Sequence, residues 1–216
     1  MTVDAIIPAH NEARTVAAVI KAVQSSSLVD HIFVVDDGSS DETSRAATAA
    51  GARVIRHAKC RGKAAALCTG VEASKADVFL FLDADLFRLT ARHVERILAP
   101  VLMGERFMNI GLRDHKSLDW LVARLPLVSG QRALRREVFV AIPSRLMQGY
   151  GSEIALNAAC RYHPWKYGIV RLPGLAVRRK FDKVGLRRAV WQYLHMWLQV
   201  LVAMLQTRLA HARGDF

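Results

Sequence analysis

The sequence is poor in cysteine and contains no CxxC pair. Its 216 residues include only 3 cysteines, at spacings unlike those of metal ligands. Thiols this few and this scattered suggest a reducing compartment rather than a disulfide framework. No secretory signal is recognised either, because the chain opens directly with the strand-like stretch Thr2-Val3-Asp4-Ala5-Ile6-Ile7. We therefore expect a cytoplasmic protein.

Acidic residues are also scarce, at 19 against 31 basic ones, which gives a formal net charge of +12. Such an excess favours anionic partners, for example phosphorylated substrates, anionic lipid or nucleic acid. Because no nucleic-acid-binding motif is recognisable, we predict no nucleic-acid partner. The hydrophobic content of 52% is enough to bury one sizeable core.

The first half of the chain alternates between short apolar runs and segments with helical periodicity. The predicted strands are Val3–Pro8, Ile32–Val35, Arg53–Arg56 and Val78–Leu82, and the predicted helices are Thr15–Val23, Asp41–Ala50 and Lys63–Ala73. Apolar strands separated by helices favour a mostly parallel sheet covered on both faces. The predicted fold class is therefore α/β and Rossmann-like.

The second half is less regular. Its predicted elements are the helices Thr90–Met103, Leu134–Ile142 and Ser152–Cys160, an edge strand at Arg106–Leu112 and a returning strand at Gly168–Leu172. We predict one domain overall, with a nucleotide-sugar-binding half at 1–112, an acceptor-binding half at 113–185 and a C-terminal amphipathic helix at 186–216.

Three of the predicted strands end in loops rich in acidic and turn residues. These loops are Pro8-Ala9-His10-Asn11-Glu12, Asp36-Asp37-Gly38-Ser39-Ser40-Asp41 and Asp83-Ala84-Asp85. Taken singly, the first two are also explained as turns with a helix N-cap, and the third as a solvated loop. Because ligands bind at the carboxyl ends of the strands in an open parallel sheet, we expect all three loops to meet in one crevice.

The third loop carries two carboxylates, Asp83 and Asp85, separated by one residue. Such a pair can present oxygens to Mg²⁺ or Mn²⁺, which then bridges to substrate phosphates. The cation offsets the charge that builds on a departing nucleoside diphosphate. Lys63 either contacts the pyrophosphate or base, or is a solvated lysine in the first turn of its helix.

A nucleotidyltransferase is disfavoured, because the first strand–helix turn lacks the glycines of a phosphate loop.

Together with Gly62-Lys63-Ala64-Ala65-Ala66-Leu67, these loops resemble the family-2 glycosyltransferases of the GT-A fold, from the first strand to the Asp83-Ala84-Asp85 loop. The resemblance implies a glycosyltransferase that uses a nucleoside-diphosphate sugar and Mg²⁺ or Mn²⁺. It makes Asp85 a metal ligand, with Asp83 at the metal or ribose, and Asp36 or Asp37 a contact to the base. The nucleotide-sugar-binding residues that it implies are Pro8, Ala9, His10, Glu12, Asp36, Asp37, Lys63, Asp83 and Ala84.

Two segments of the acceptor-binding half contain candidate site residues. Gly130, Gln131 and Arg132 either bind an acceptor phosphate or hydroxyl, or form a solvated turn. Glu153 follows the flexible Gly149-Tyr150-Gly151 and the predicted N-cap Ser152. A carboxylate in that first turn is stabilised by the helix dipole even without a function.

The Glu153 segment also resembles a bacterial group that includes glucosyl-3-phosphoglycerate synthases and polyprenyl-phosphate glycosyltransferases. The resemblance implies a phosphorylated small molecule or a polyprenyl phosphate as acceptor. It makes Glu153 the catalytic residue, as a general base in an inverting enzyme. In a retaining enzyme the same region orients the acceptor, and the sequence leaves the choice open.

One position departs from the family pattern. Relatives often carry a third metal ligand, a His, before a basic segment near the end of the catalytic domain, where this chain has Val177 followed by Arg178-Arg179-Lys180. Valine cannot bind a metal. Either the ligand set is smaller, or the equivalent position lies elsewhere, or activity is weak. This departure supports the alternative prediction, a non-catalytic nucleotide-sugar-binding or regulatory protein.

The segment Leu186–Leu209 has the pattern of one long helix with a polar stripe and a wide apolar face. A membrane span needs about 20 mostly apolar residues, and the apolar stretch within this segment, Ala189–Leu205, is shorter and is striped with polar residues, which disfavours a span. Two interpretations remain. The helix lies in the interface of the cytoplasmic membrane, with basic residues on anionic lipid, or it packs on the catalytic domain or on a second subunit in a homodimer.

Overall fold

A computed structural model describes residues 1–113, 129–148, 151–177 and 186–215, and the side chains of the last helix from Leu198 onward. Its strands are β1 Val3–Ala9, β2 His31–Asp36, β3 Arg53–Arg56, β4 Val78–Phe81, β5 Leu86–Phe87, β6 Met108–Arg113, β7 Arg132–Arg135, β8 Tyr167–Leu172 and β9 Ala176–Val177. Its helices are α1 Val16–Gln24, α2 Thr43–Ala49, α3 Lys63–Ala73, α4 Ala91–Leu102, α5 Arg136–Val140, α6 Gly151–Tyr162 and α7 Leu186–Ala212, with a short 3₁₀ helix at Ser144–Leu146.

Seven of these strands form one sheet in the order β3-β2-β1-β4-β7-β6-β8, and β5 pairs with β9 beside it. Strands β3, β2, β1 and β4 are parallel, whereas β7 runs antiparallel to both of its neighbours, and β8 is parallel to β6. Helices cover both faces. The predicted α/β class, with a mostly parallel central sheet, is confirmed.

The side chains of the central strands point alternately to the two faces of the sheet, which explains why helices cover both faces. In β1, Ala5 and Ile7 pack in the core cluster that contains the buried residues of α1 and α4. Ile6 points the other way, into the cluster that contains the buried residues of α3 and α6. Successive side chains of a strand point to opposite faces, so a continuous apolar run needs a helical layer on each side.

Two sequence predictions in the second half are wrong. The helix predicted at Leu134–Ile142 is instead strand β7 followed by the short helix α5, because Ala133 and Leu134 are fully buried between β4 and β6. Tertiary pairing has overridden the local helical preference of this segment. The strand predicted at Arg106–Leu112 is present as β6, but it lies between β7 and β8 rather than at an edge.

The long C-terminal helix is confirmed as α7, which has 27 residues. Its buried residues Val200 and Ala203 pack on Ile154 of α6. No helix in the described part of the chain combines the length and apolar character needed to cross a bilayer. Strands from both predicted halves, 1–112 and 113–185, pair in the same sheet; the boundaries themselves stay predictions.

Candidate active site

The three acidic loops follow adjacent parallel strands and meet at one edge of the sheet, as predicted. Strand β1 lies between β2 and β4, so the loop after it lies between the other two loops. Strand β7 runs the opposite way, and its first residue, Arg132, pairs with Phe81 near the end of β4. The residues that precede β7 therefore reach the same crevice, as does Lys63 at the start of α3.

Hydrogen bonds hold the loops after β1 and β2 together. Asn11, which has a left-handed φ of 57°, donates its N–H to Ser39 Oγ at 2.9 Å and accepts from the Ser40 N–H at 2.8 Å. The N–H of Glu12 donates to Thr43 Oγ1 at 2.8 Å. His10 Nδ1 lies 2.8 Å from the Asp37 carbonyl oxygen. The two loops thus form one braced surface, from which the exposed His10 and the half-buried Glu12 project.

Asp37 is buried and surrounded by donors from the segment before α3. Its carboxylate accepts from His57 Nδ1 at 2.7 Å, from the N–H groups of Arg61 at 2.8 Å and Gly62 at 2.7 Å, and from Cys60 Sγ at 3.1 Å. Burial by itself raises the pKa of Asp37, but these hydrogen bonds outweigh it and hold the pKa below its usual value. The carboxylate therefore fixes the loop that leads to Lys63.

Asp36, at the end of β2, is also enclosed by protein donors. The N–H of Ser39 donates to it at 2.8 Å, the hydroxyl of Ser44 donates to it as well, and Arg56 Nε lies 3.8 Å away. Burial opposes ionisation, yet the two serines and the Arg56 charge lower the pKa of Asp36 overall. The base contact expected of Asp36 or Asp37 stays a prediction, since both carboxylates already have protein partners.

The centre of the crevice is a cluster around Lys63. Its Nζ lies 2.6 Å from Asp83 Oδ1 and 3.2 Å from Glu153 Oε1, so it joins the β4 loop to the first turn of α6. Burial by itself lowers the pKa of Lys63, but the charges of Asp83 and Glu153 raise it above its usual value. The side chain of Lys63 is therefore protonated and positively charged. Two predicted site residues 90 positions apart, Lys63 and Glu153, are thus in direct contact.

The segment before β7 closes over this cluster. A Cβ on Gly130 would lie 2.4 Å from Asp83 Oδ1 and 2.5 Å from Lys63 Nζ, so a larger residue there would displace these two side chains. Gln131 Nε2 donates to Asp83 Oδ2 at 2.6 Å. The sequence offers no signal for this close approach beyond the glycine itself.

Arg132 and Gln131 are buried rather than exposed to an acceptor. Arg132 donates to the Ser129 carbonyl oxygen at 2.7 Å and to Asn157 Oδ1 at 2.7 Å, and burial lowers its pKa to about 10. Their side chains support the crevice from inside, and the direct acceptor contact stays a prediction. Ser152, predicted as an N-cap, lies inside α6, which begins at Gly151, and its hydroxyl donates to Glu153 Oε2 at 3.0 Å.

Asp85 differs from the other acids of the crevice. No other described residue forms a hydrogen bond or an ion pair with its carboxylate. Burial raises the pKa of Asp85, and the negative charges of Asp83 and Glu12 raise it further, against a smaller opposing effect of Arg113. A half-buried carboxylate crowded by two other acids is the environment that a divalent cation would stabilise. The donor set therefore fits Mg²⁺ or Mn²⁺ at Asp85.

The described part of the chain supplies few ligands for such a cation. Within the described residues, no group of three or more His, Cys, Asp or Glu side chains could hold a metal ion. The backbone of Val177, where a His is expected from the family resemblance, pairs with Leu86, the residue directly after Asp85. The position is thus next to the predicted metal site, and its residue type cannot coordinate.

The fold and the crevice define a Rossmann-like protein with a candidate site for a phosphorylated ligand and a hard cation. The model of glycosyl transferase family 2 matches residues 4–149. The chain belongs to that family.

The chain is similar to glucosyl-3-phosphoglycerate synthase of Mycolicibacterium smegmatis, at 34% identity over 72% of this chain and 62% of that protein. It is similar at 29% identity to the synthase of Mycolicibacterium paratuberculosis, over 72% of this chain and 58% of that protein. The chain thus spans less than two thirds of the length of these relatives.

Among solved structures, the chain resembles glucosyl-3-phosphoglycerate synthase from Mycobacterium tuberculosis in complex with Mn²⁺, UDP-glucose and phosphoglyceric acid. The TM-score is 0.78 and the sequence identity 28%, with 95% of this chain and 79% of that chain covered. The expected resemblance to the group that contains these synthases is confirmed.

Proposed function

We propose that this chain is a glycosyltransferase that moves a sugar from a nucleoside-diphosphate sugar to a hydroxyl or phosphate acceptor with the help of a divalent cation. The observation that carries the proposal is the contact of Lys63 with both Asp83 and Glu153 at the carboxyl edge of the sheet. Next to that cluster, the carboxylate of Asp85 has no other described partner. The crevice thus offers a cation for phosphate, a carboxylate for metal and a buried acid for the reacting sugar or acceptor.

Asp85, with Asp83, would hold Mg²⁺ or Mn²⁺. Such a cation is commonly held by one or two carboxylates, with substrate phosphates and water in its other positions. When bound, it would offset the charge of the departing nucleoside diphosphate. Both oxygens of Asp83 already have partners, in Lys63 and Gln131, which supports Asp85 as the principal ligand.

The nucleotide would lie over the braced loops. The loop with Pro8, Ala9, His10 and Glu12 follows β1, which pairs with β4, so it lies beside the β4 loop that carries Asp83 and Ala84. Asp36 and Asp37 would act mainly through the shape of these loops. Their carboxylates are occupied by loop donors.

Glu153 would contact the sugar or the acceptor. Its carboxylate is held in place by Lys63 and by Ser152, which fixes its orientation toward the crevice. Gln131 and Arg132 would position this part of the site from inside, and Gly130 would allow the close approach of Asp83 and Lys63.

We propose a uridine nucleotide sugar as donor and a phosphorylated small molecule as acceptor. The similar synthase was solved with UDP-glucose and phosphoglyceric acid. The net charge of +12 supports anionic substrates. A polyprenyl phosphate would satisfy the same charge requirement.

A non-catalytic nucleotide-sugar-binding protein is the second candidate. It is favoured by Val177, because the residue next to the predicted metal site lacks a ligand group. Metal-dependent turnover separates the two candidates.

Thermal unfolding with UDP, GDP and dTDP, each with and without Mn²⁺, tests the donor site. A ligand at about 100 times its Kd stabilises by about 2.7 kcal/mol, which for a domain of this size is a shift of about 5–10 °C. We expect a metal-dependent shift with UDP, followed by transfer of labelled glucose from UDP-glucose to 3-phosphoglycerate or another phosphorylated acceptor. A shift without transfer would favour the second candidate, and no shift with any nucleotide would contradict both.

We also propose a cytoplasmic place of action, consistent with the sparse and scattered cysteines. A contact of α7 with a membrane surface or with a second copy of the chain stays a prediction. The exposed leucines of α7 support some contact of this kind.

A further inference from the structure

Helix α7 exposes a row of large apolar residues on the face opposite its contact with the domain. Leu198, Leu201, Val202, Leu205 and Leu209 recur at helical spacing, and each is between 43% and 60% exposed. The face toward the domain contains the buried residues Val200, Ala203, Thr207 and Ala210. Because residues three and four apart lie on one side of a helix, the exposed residues form a continuous stripe, here called the leucine stripe.

Both borders of the leucine stripe are basic. Arg208 lies three residues after Leu205 on one border, and Arg213 lies four residues after Leu209 on the other, and both are exposed. From 186 to 215 the sequence contains one acidic residue, Asp215, and its carboxylate is paired with Arg145. Within 186–215, no unpaired acidic side chain would therefore repel a negatively charged surface.

A groove continues the stripe at its C-terminal end. It has a volume of about 320 Å³ and lies between α7 and the 3₁₀ helix Ser144–Leu146. Leu209 forms part of its wall, and its polar lining comes from Arg145, Gln148, Gln206 and Arg213. Because Arg145 is paired with Asp215, the available cation in the described lining of the groove is Arg213, and an apolar stripe that ends beside it matches a ligand with acyl chains and an anionic headgroup.

A second copy of the chain fits this surface less well. In a symmetric dimer the stripes of two helices would meet, and the basic borders of one would face those of the other. Paired helices place opposite charges on such borders, and this face has no exposed carboxylate to offer apart from the paired Asp215. Charge complementarity thus favours an anionic lipid surface.

We propose that α7 docks this protein on anionic membranes, with the leucine stripe at the level of the acyl chains and Arg208 and Arg213 at the lipid phosphates. The stripe lies on the side of α7 away from α6, which carries Glu153. Docking therefore leaves the crevice open and is measurable separately from nucleotide binding.

The test is co-sedimentation of the full chain with phosphatidylcholine vesicles that contain phosphatidylglycerol, and with vesicles of phosphatidylcholine alone. We expect binding to the anionic vesicles only. The double variant L201S/L205S should bind about tenfold more weakly or worse, because two inserted leucine side chains are lost. The variant R208Q/R213Q should lose about fivefold for each arginine at low ionic strength.

Val140 provides the matched control. It is 68% exposed on α5 and does not belong to the stripe, so V140S should bind vesicles like the wild type.

Light scattering of wild type and L201S/L205S in solution tests whether a second copy of the chain covers the leucine stripe instead. A dimer that L201S/L205S converts to a monomer would overturn the proposal in favour of a second copy. Equal binding of L201S/L205S and wild type to anionic vesicles would overturn it as well.

The nucleotide-dependent thermal shift of L201S/L205S serves as the folding check. A variant that keeps the shift of the wild type and loses vesicle binding supports the proposal. Vesicle binding by a wild type that shows no nucleotide shift would contradict the proposed function and leave the docking surface standing.

Discussion

The acidic loops after β2 and after β4 look alike in the sequence and do different work in the structure. Asp36 and Asp37 are enclosed by backbone and side-chain donors, and their pKa values are lowered. Among the described residues, no other residue donates a hydrogen bond to Asp85, and its pKa is raised by burial and by neighbouring acids. The first loop uses its charges to shape the crevice, whereas the second leaves a charge for a ligand. Acidic residues at the end of a strand therefore do not show by themselves whether they hold the loop in shape or bind a ligand.

The largest effect that would test this comparison is expected from Asp85→Asn. The change removes the carboxylate that we assign to the metal, so turnover should fall by about 10³-fold or more. The midpoint of thermal unfolding should not fall, since the repulsion from Asp83 and Glu12 is relieved. Steady-state kinetics with Mn²⁺ and thermal unfolding of the same sample measure both. Full activity in this variant would remove Asp85 from the metal site and make the two loops equivalent.

Gly130→Ala should have the next largest effect on activity. The added methyl would lie 2.4–2.5 Å from Asp83 and Lys63, so the ion pair must move. A displacement of about 1 Å at a reacting centre lowers kcat/KM by about 10²-fold.

Gly70→Ala is the matched control for that change. Its methyl would lie 2.4 Å from Ile6 Cγ2 in the core, which is an equal crowding away from the cluster. The control should lower the unfolding temperature with little change in kcat/KM. Equal losses of kcat/KM in both variants would show a general packing effect.

Asp37→Asn should have the opposite effect to Asp85→Asn, with a large loss of stability and a small loss of turnover. Asparagine retains one acceptor oxygen, but the charge that accepts from His57, Arg61 and Gly62 is lost. Hydrogen bonds to a charged group are worth about 1.5–3 kcal/mol each, and we expect the free energy of unfolding to fall by about 2–3 kcal/mol. Chemical denaturation gives that value. Turnover of the folded fraction should fall far less than in Asp85→Asn, and an equal fall would make Asp37 a substrate contact.

The pH dependence of this variant sharpens the same point. A carboxylate with a lowered folded pKa stabilises the protein above its unfolded pKa of about 3.9, and the contribution is lost as the pH falls through the folded pKa. The difference in unfolding free energy between wild type and Asp37→Asn should therefore be constant near neutrality and shrink below about pH 4. Denaturation at a series of pH values measures it. A difference that persists at the lowest pH would point to lost geometry rather than lost charge.

The sequence predicts the β1–β4 half of the fold well because each of its strands is a separate apolar run with its own helix. The strands predicted at Val3–Pro8 and Ile32–Val35 differ from β1 and β2 only at their ends. It fails at β7, since Ala133 and Leu134 become strand residues only through pairing with β4 and β6. Such pairing depends on residues distant in the chain, and the spacing of apolar residues within one segment carries no information about them.

The same distinction holds for the candidate site. Asp83, Asp85 and Lys63 are marked by their place after a strand or at the start of a helix. His57, which holds Asp37, gives no local sign of this contact, because its partner lies 20 positions away. Likewise, the closeness of Gly130 to Asp83 follows from the antiparallel course of β7, an element absent from the sequence prediction.

Cys60→Ala should have the smallest effect of the series, and it asks which donors hold Asp37. The Cys60 side chain is exposed, and its Sγ lies 3.1 Å from Asp37 Oδ2. A thiol is a weak donor, and the N–H of Gly62 contacts the same oxygen at 2.7 Å. Removal of the thiol should therefore lower the free energy of unfolding by only about 0.5 kcal/mol, with turnover unchanged. A loss as large as that of Asp37→Asn, measured by the same denaturation assay, would mean that the side chains rather than the backbone of the 57–62 segment hold this carboxylate in place.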